Sequence, residues 1–202
     1  MLASKTLLIL ILTVATVGVA FSQEMVRSPF GFSMQRPKNW TVTDKEYLNQ
    51  NVKKIDLSEA AIAKILNESN NTLVVMAFLK YDPRTKSGLI PTIQVRLRPN
   101  PINDFSVFMT AFVKSLSKMP FEGFHVEGSP KEVSISGHRA VLVNATYTIG
   151  TADGQTLPTR SRVYSIPYGK QYFQLTFLDN PKDEDCSAEF DTLVKSIKIG
   201  RE

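Results

Sequence analysis

Two pairs of arginines in this chain stand at strand spacing. Arg96 and Arg98 alternate with Val95 and Leu97, and Arg160 and Arg162 are separated by one residue just before Val163. Side chains two apart on a strand point the same way, so each pair emerges together, Arg96 and Arg98 opposite the apolar residues between them. Guanidinium groups presented like this suit a carboxylate or phosphate, which they grip through parallel N–H bonds. Were the two strands neighbours, the four arginines would form one patch for an anionic partner. Strand order cannot be read from the residues alone.

Other chemistry is thinly represented. The only histidines, His125 and His138, have no Cys, His or carboxylate at metal-ligand spacing. No Gly-x-Ser-x-Gly elbow and no glycine-rich phosphate loop occurs, and Ser136-Gly137-His138 reads as a turn. The alternative to a binding protein is a hydrolase-like enzyme with a site assembled around His125 or His138 from residues distant in sequence. Asp179, Asp183, Glu184 and Asp185 are a hard-oxygen cluster of the kind Ca²⁺ takes, but they lack the alternating ligands and glycine of an EF-hand loop. Acids ahead of a helix are expected for capping and dipole reasons instead. Cys186 is the only cysteine, so an intramolecular disulfide is impossible and the fold must be held by packing. The carboxylates around it raise a thiol pKa, and an incidental, partly buried thiol is expected, with an intermolecular disulfide as the competing reading. No catalytic, metal or cofactor residue is assigned, and the chain is expected not to be an enzyme.

The elements that must position these residues follow from periodicity. Phe30 to Gln35 alternates, breaks at Arg36-Pro37-Lys38-Asn39 and resumes at Trp40, which predicts two short strands around a turn with Trp40 buried at a sheet edge. Ser58 caps a helix carrying Ala60, Ala61, Ile62, Ile65 and Leu66. Residues 73–81 are apolar at both parities, which predicts a strand covered on both sides in mid-sheet. Ile93, Val95 and Leu97 mark a half-buried strand ended by Pro99 and Pro101. After Asp104 the spacing of Phe105, Phe108, Met109, Phe112, Val113, Leu116 and Met119 is helical, and this aromatic stripe is the core side of a helix. After Pro120 strands dominate as far as Leu178, among them Val133 to Ile135, with turns at Asp153-Gly154 and Tyr168-Gly169-Lys170. Phe190, Leu193, Val194 and Ile197 close the chain as an amphipathic helix.

Residues 1–22 carry one cation, Lys5, then an apolar run ending in Ala20-Phe21-Ser22, the pattern of an export signal. The run is shorter than the roughly 20 residues that span a bilayer. Residues 23–202 are then expected as one secreted or periplasmic domain without a membrane span, and no cysteine follows the signal closely enough to take a lipid. Net charge is +5 over the 202 residues, with both signs mixed and no cationic run, so nucleic acid is not implied as a partner. The Asn-x-Ser/Thr triplets at Asn39, Asn67, Asn70 and Asn144 are treated as ordinary polar residues.

The element order is strands, helix, strands, helix, meander, helix: an α+β class with an antiparallel β-sheet sandwiched between α-helices. That order, with the opening Gly31-Phe32-Ser33-Met34-Gln35-Arg36-Pro37-Lys38-Asn39-Trp40, resembles the PsbP-like family, whose fold is shared by a photosystem II extrinsic subunit, Ran-binding MOG-type proteins and exported bacterial relatives. The ending is similar too, with Tyr172-Phe173-Gln174-Leu175-Thr176-Phe177 before the helix containing Leu193-Val194-Lys195-Ser196-Ile197. The resemblance covers most of residues 25–199 and implies an α/β/α sandwich in an accessory or binding protein; the partner expected, given the arginine pairs, is a protein or an anionic ligand. It carries over no catalytic residue, and residues 44–57 and 82–101 match no family motif.

Overall fold

The computed structural model describes residues 24–42, 58–151 and 154–200. The expected export signal and Asp153 of the hairpin turn lie outside them. The class is α+β with antiparallel sheet throughout. Among the described residues, β1 (Met25–Arg27), β2 (Phe32–Gln35) and β11 (Lys198–Ile199) form a small sheet in the order β1-β2-β11. The large sheet takes β3 (Thr41–Val42), β4 (Leu73–Leu79), β5 (Thr92–Pro99), β6 (Glu122–Val126), β7 (Lys131–Ile135), β8 (His138–Gly150), β9 (Thr156–Tyr168) and β10 (Gln171–Asp179). Its order is β3-β4-β5-β10-β9-β8-β6, with β7 also paired to β8. The strands on either side of Trp40 therefore belong to different sheets. Asn39, with φ of +65°, turns the chain between them.

Three helices are described: α1 (Glu59–Glu68), α2 (Phe105–Leu116) and α3 (Ser187–Ser196). Each starts where a polar group takes up free amides. Ser58 Oγ accepts from the Ala61 N–H, and Asp104 Oδ1 accepts from the Val107 N–H at 2.8 Å. At α3 the Cys186 side chain makes no cap. The Asp179 carboxylate, from the end of β10, accepts from the Cys186 N–H at 2.9 Å, and Asp185 Oδ1 accepts from the Ser187 N–H at 2.8 Å.

Alternation in the central strands sorts side chains into two apolar clusters. Ile93, Val95 and Leu97 of β5, Tyr164 and Ile166 of β9, and Phe173, Leu175 and Phe177 of β10 join Ile62 and Leu66 of α1 and Phe190 and Leu193 of α3. Residues of the opposite parity, Val141, Val143 and Val163, with Tyr172 packed beside them, join Phe108, Phe112 and Leu116 of α2. Trp40 is 2% exposed and packs edge-on against Phe190, with ring centroids 6.3 Å apart.

The reading of β4 as a strand covered on both sides in mid-sheet is corrected here. It lies second from one end of the sheet order, and its register shifts between Val74 and Met76. Val74 pairs with Arg96, whereas Met76 pairs with Val95 and Phe78 with Ile93. One extra residue, Val75, switches the parity, so apolar residues at odd and even positions serve a single core. Val74 is left 38% exposed beside Arg96.

Candidate anion-binding site

The two arginine pairs do not form one patch. Strand β10 lies between β5 and β9, and the pairs fall on opposite faces of the sheet. Arg162 is paired in register with Phe177 and Arg160 with Asp179, on the side of the α3 cluster, whereas Arg96 is paired with Gln174 and Arg98 with Tyr172, on the side of α2.

On the α3 side the arginines are already occupied. Arg160 donates from Nε to Asp179 Oδ1 at 2.9 Å, and from Nη2 to Asp179 Oδ2 at 2.5 Å and Asp185 Oδ1 at 2.7 Å. Those bonds outweigh the cost of burial and raise its pKa further, and Arg162 Nη1 donates to Asp191 Oδ1. The acids before α3 are spent in the same way. Glu184 holds Lys80 Nζ at 2.8 Å and accepts from the Tyr81 hydroxyl at 2.7 Å, and Asp183 accepts from Asn180 Nδ2. Partly buried Lys80 stays charged: burial opposes its ammonium, but Glu184, Cys186 and Glu189 together push its pKa up. The Cys186 thiol is raised first by burial, with Lys80 Nζ, 3.4 Å from Sγ, opposing the shift. The carboxylates near Cys186 are the smaller cause, and the thiol is fully buried rather than partly so. Nothing in the sequence pairs Lys80 with residues a hundred positions later.

The α2 side differs. Reading across the sheet in register, one row runs Val74, Arg96, Gln174, Ser165, Val141 and Glu132. Gln174 is 3% exposed and Ser165 0%, yet Gln174 Oε1, Ser165 Oγ and the Nε atoms of Arg96 and Arg98 are buried without a hydrogen-bond partner among the described residues. A buried polar atom left unpaired costs about 1–3 kcal/mol, so neighbouring unpaired atoms in two adjacent rows demand an explanation. Burial lowers the Arg96 pKa, and the charge of Arg98 adds to that. Two residues along a strand are about 7 Å apart, at which like charges repel by about 2 kcal/mol for an effective dielectric of about 20. An anion set between the guanidinium heads removes that repulsion. Turning the Arg96 Nε–H onto Gln174 Oε1, its cross-strand neighbour, pairs two of the orphaned atoms at the same time. Sequence reasoning found Arg96 and Arg98 from their spacing but passed over Gln174 and Ser165, because only strand order puts them in the row.

His125 is exposed on β6 opposite Thr146, and His138, at the start of β8, stands edge-on to Tyr168. A cavity of about 190 Å³ adjoins the arginine strip, between α2 and the segment following β5, with Pro99, Ile102, Phe108, Ala111, Phe112 and Tyr172 in its wall. Another, of about 290 Å³, has Thr146, Thr159, Arg160 and Lys182 in its wall. Among the described residues no helix is long and apolar enough to cross a membrane.

No family model and no curated protein matches this chain. Solved structures do. A Bacteroides thetaiotaomicron protein is 12% identical with a TM-score of 0.50 over 89% of this chain, which spans about half (49%) of that structure. LpqN of Mycobacterium tuberculosis, described as involved in cell envelope biogenesis, is 14% identical with a TM-score of 0.49, covering 83% of this chain and 82% of its own. A Pseudomonas aeruginosa protein of unknown function is 15% identical with a TM-score of 0.44, covering 65% of this chain and 83% of its own. At such identities the first of these supports the α+β fold and nothing about activity.

Proposed function

We propose that this chain is an exported, non-enzymatic binding protein of the PsbP-like kind, an α/β/α sandwich that holds an anionic group of its partner over Arg96 and Arg98. The observation that carries the anion reading is the row of buried, unpartnered polar atoms beneath two arginines that lack a carboxylate among the described residues. The sandwich reading is supported by the division of the core, with α1 and α3 side chains in one apolar cluster and α2 side chains in the other. Export is supported by the composition of residues 1–22.

Arginine Nε–H resonances report the site directly. Titrating residues 23–202 with inorganic phosphate should shift the Arg96 and Arg98 signals, leave those of Arg160 and Arg162 in place, and weaken as salt rises. Arg96→Gln/Arg98→Gln should abolish the response. Unmoved Arg96 and Arg98 signals at tens of millimolar phosphate in low salt would remove the basis for the proposal.

A further inference from the structure

The arginine strip and the cavity of about 190 Å³ meet at Tyr172, although neither Arg96 nor Arg98 lines the cavity itself. Arg98 is paired across the β5/β10 ladder with Tyr172, and Tyr172 lines the cavity along with Pro99, the residue after Arg98. Tyr172 stands edge-on to Phe108 and Phe112, with centroids 5.3 and 6.3 Å away, and Phe108, Ala111 and Phe112 present one stripe of α2 to the space. Two polar groups of the wall are already used. Asn100 Oδ1 accepts from the Ile102 N–H at 3.1 Å, and the Ser115 hydroxyl donates to the Phe112 carbonyl at 2.6 Å. The rest of the wall is mostly apolar and aromatic, and Tyr172 carries it to Arg98, whose buried Nε–H has no partner among the described residues.

We infer that the strip and this cavity form a single site for a small organic carboxylate bearing one phenyl-sized apolar group, the carboxylate on Arg98 and Arg96 and the apolar group against Phe108, Phe112 and Tyr172. The inference rests on the anion reading above and adds the ligand class to it. Volume suits a ring, since an apolar cavity of about 150 Å³ accommodates benzene and this half-open groove offers about 190 Å³, enough for a phenyl group with its linker leading out toward Arg98. The edge-on aromatic wall favours a ring over an aliphatic group of equal size. Gln174 has a positioning role: its Oε1 receives the Arg96 Nε–H once the guanidinium head turns to the carboxylate.

The test uses residues 23–202 and the probes 3-phenylpropanoate, 3-phenylpropanamide, acetate and inorganic phosphate, followed by calorimetry and by amide and arginine Nε NMR. 3-Phenylpropanoate should shift the Arg98 Nε and the Ala111 and Phe112 amides together, and bind at least tenfold tighter than acetate and than 3-phenylpropanamide. Ala111→Trp, at an exposed helix position, should fill the cavity and erase the advantage over acetate while leaving the phosphate response intact. Gln174→Leu should weaken the anions and move the Arg96 Nε signal of the bound state. Equal affinity for acetate and 3-phenylpropanoate overturns the inference and leaves the anion site standing. Amide and acid binding alike would overturn it as well, by detaching the cavity from the arginines. If no anion moves the arginine signals, this inference and the proposed function fall together.

Discussion

Replacing Asp179 by alanine should be among the most damaging single changes outside the apolar core. Its carboxylate is 1% exposed and accepts three hydrogen bonds: two from Arg160, at 2.9 and 2.5 Å, and one from the Cys186 N–H that opens α3, at 2.9 Å. Breaking a buried pair by deleting one partner costs about 3–5 kcal/mol, because the other charge is left unbalanced. Arg160 keeps Asp185 at 2.7 Å and is itself 24% exposed, which puts this part near the lower limit. Loss of the helix-opening acceptor adds about 1 kcal/mol, for a total of about 4 kcal/mol. In a chain of this size that lowers Tm by about 10 °C. Urea unfolding of residues 23–202, followed by the fluorescence of the single, buried Trp40, reads it as a lower midpoint at unchanged slope. The double replacement Asp179→Leu/Arg160→Met should recover at least half of the loss, since it removes the unbalanced charge. A cost below about 1 kcal/mol for Asp179→Ala, or a double variant worse than the single, would refute this account of the β10–α3 junction.

Trp40→Ala should cost about 3–5 kcal/mol by urea unfolding followed by circular dichroism, whereas Trp40→Phe should cost under about 1.5 kcal/mol because the indole N–H has no partner among the described residues to lose. Arg96→Gln/Arg98→Gln should leave the unfolding midpoint unchanged or raised, since it relieves like-charge repulsion, whereas Arg160→Gln/Arg162→Gln should lower it by stripping partners from Asp179, Asp185 and Asp191. Acid should destabilise the fold. Hydrogen bonds from Arg84 hold Asp82 at about 2, those from Arg160 and the Ser187 N–H hold Asp185 lower still, and Lys80 and Tyr81 overcome burial to depress Glu184. Folded values below the unfolded ones, which lie near 4, stabilise the fold above about pH 4. That contribution should drain away as pH falls from about 4 through 2, so a urea midpoint that stayed level over this range would contradict the assigned pairs.

The sequence determined what depends on near neighbours. The α2 stripe from Phe105 to Leu116, the Ser58 and Asp104 caps, and the alternation of Ile93, Val95 and Leu97 against Arg96 and Arg98 are all set by residues within a turn or a strand of one another. Such periodicity reports which side of an element is apolar. It does not report which element stands beside it. Only the tertiary structure decided that β10 separates β5 from β9, and so divided four similar arginines between two faces. The pair meeting Asp179, Asp185 and Asp191 became part of the scaffold, and the pair set in register with Gln174 and Tyr172 has no carboxylate partner among the described residues. The bulge at Val75 was hidden for the same reason: an inserted residue is visible only against its partner strand, and the apolar run of β4 reads identically with or without it. Partners brought together from opposite ends of the chain leave no local trace, because the free energy selecting them comes from burying the whole sheet and not from any window of sequence.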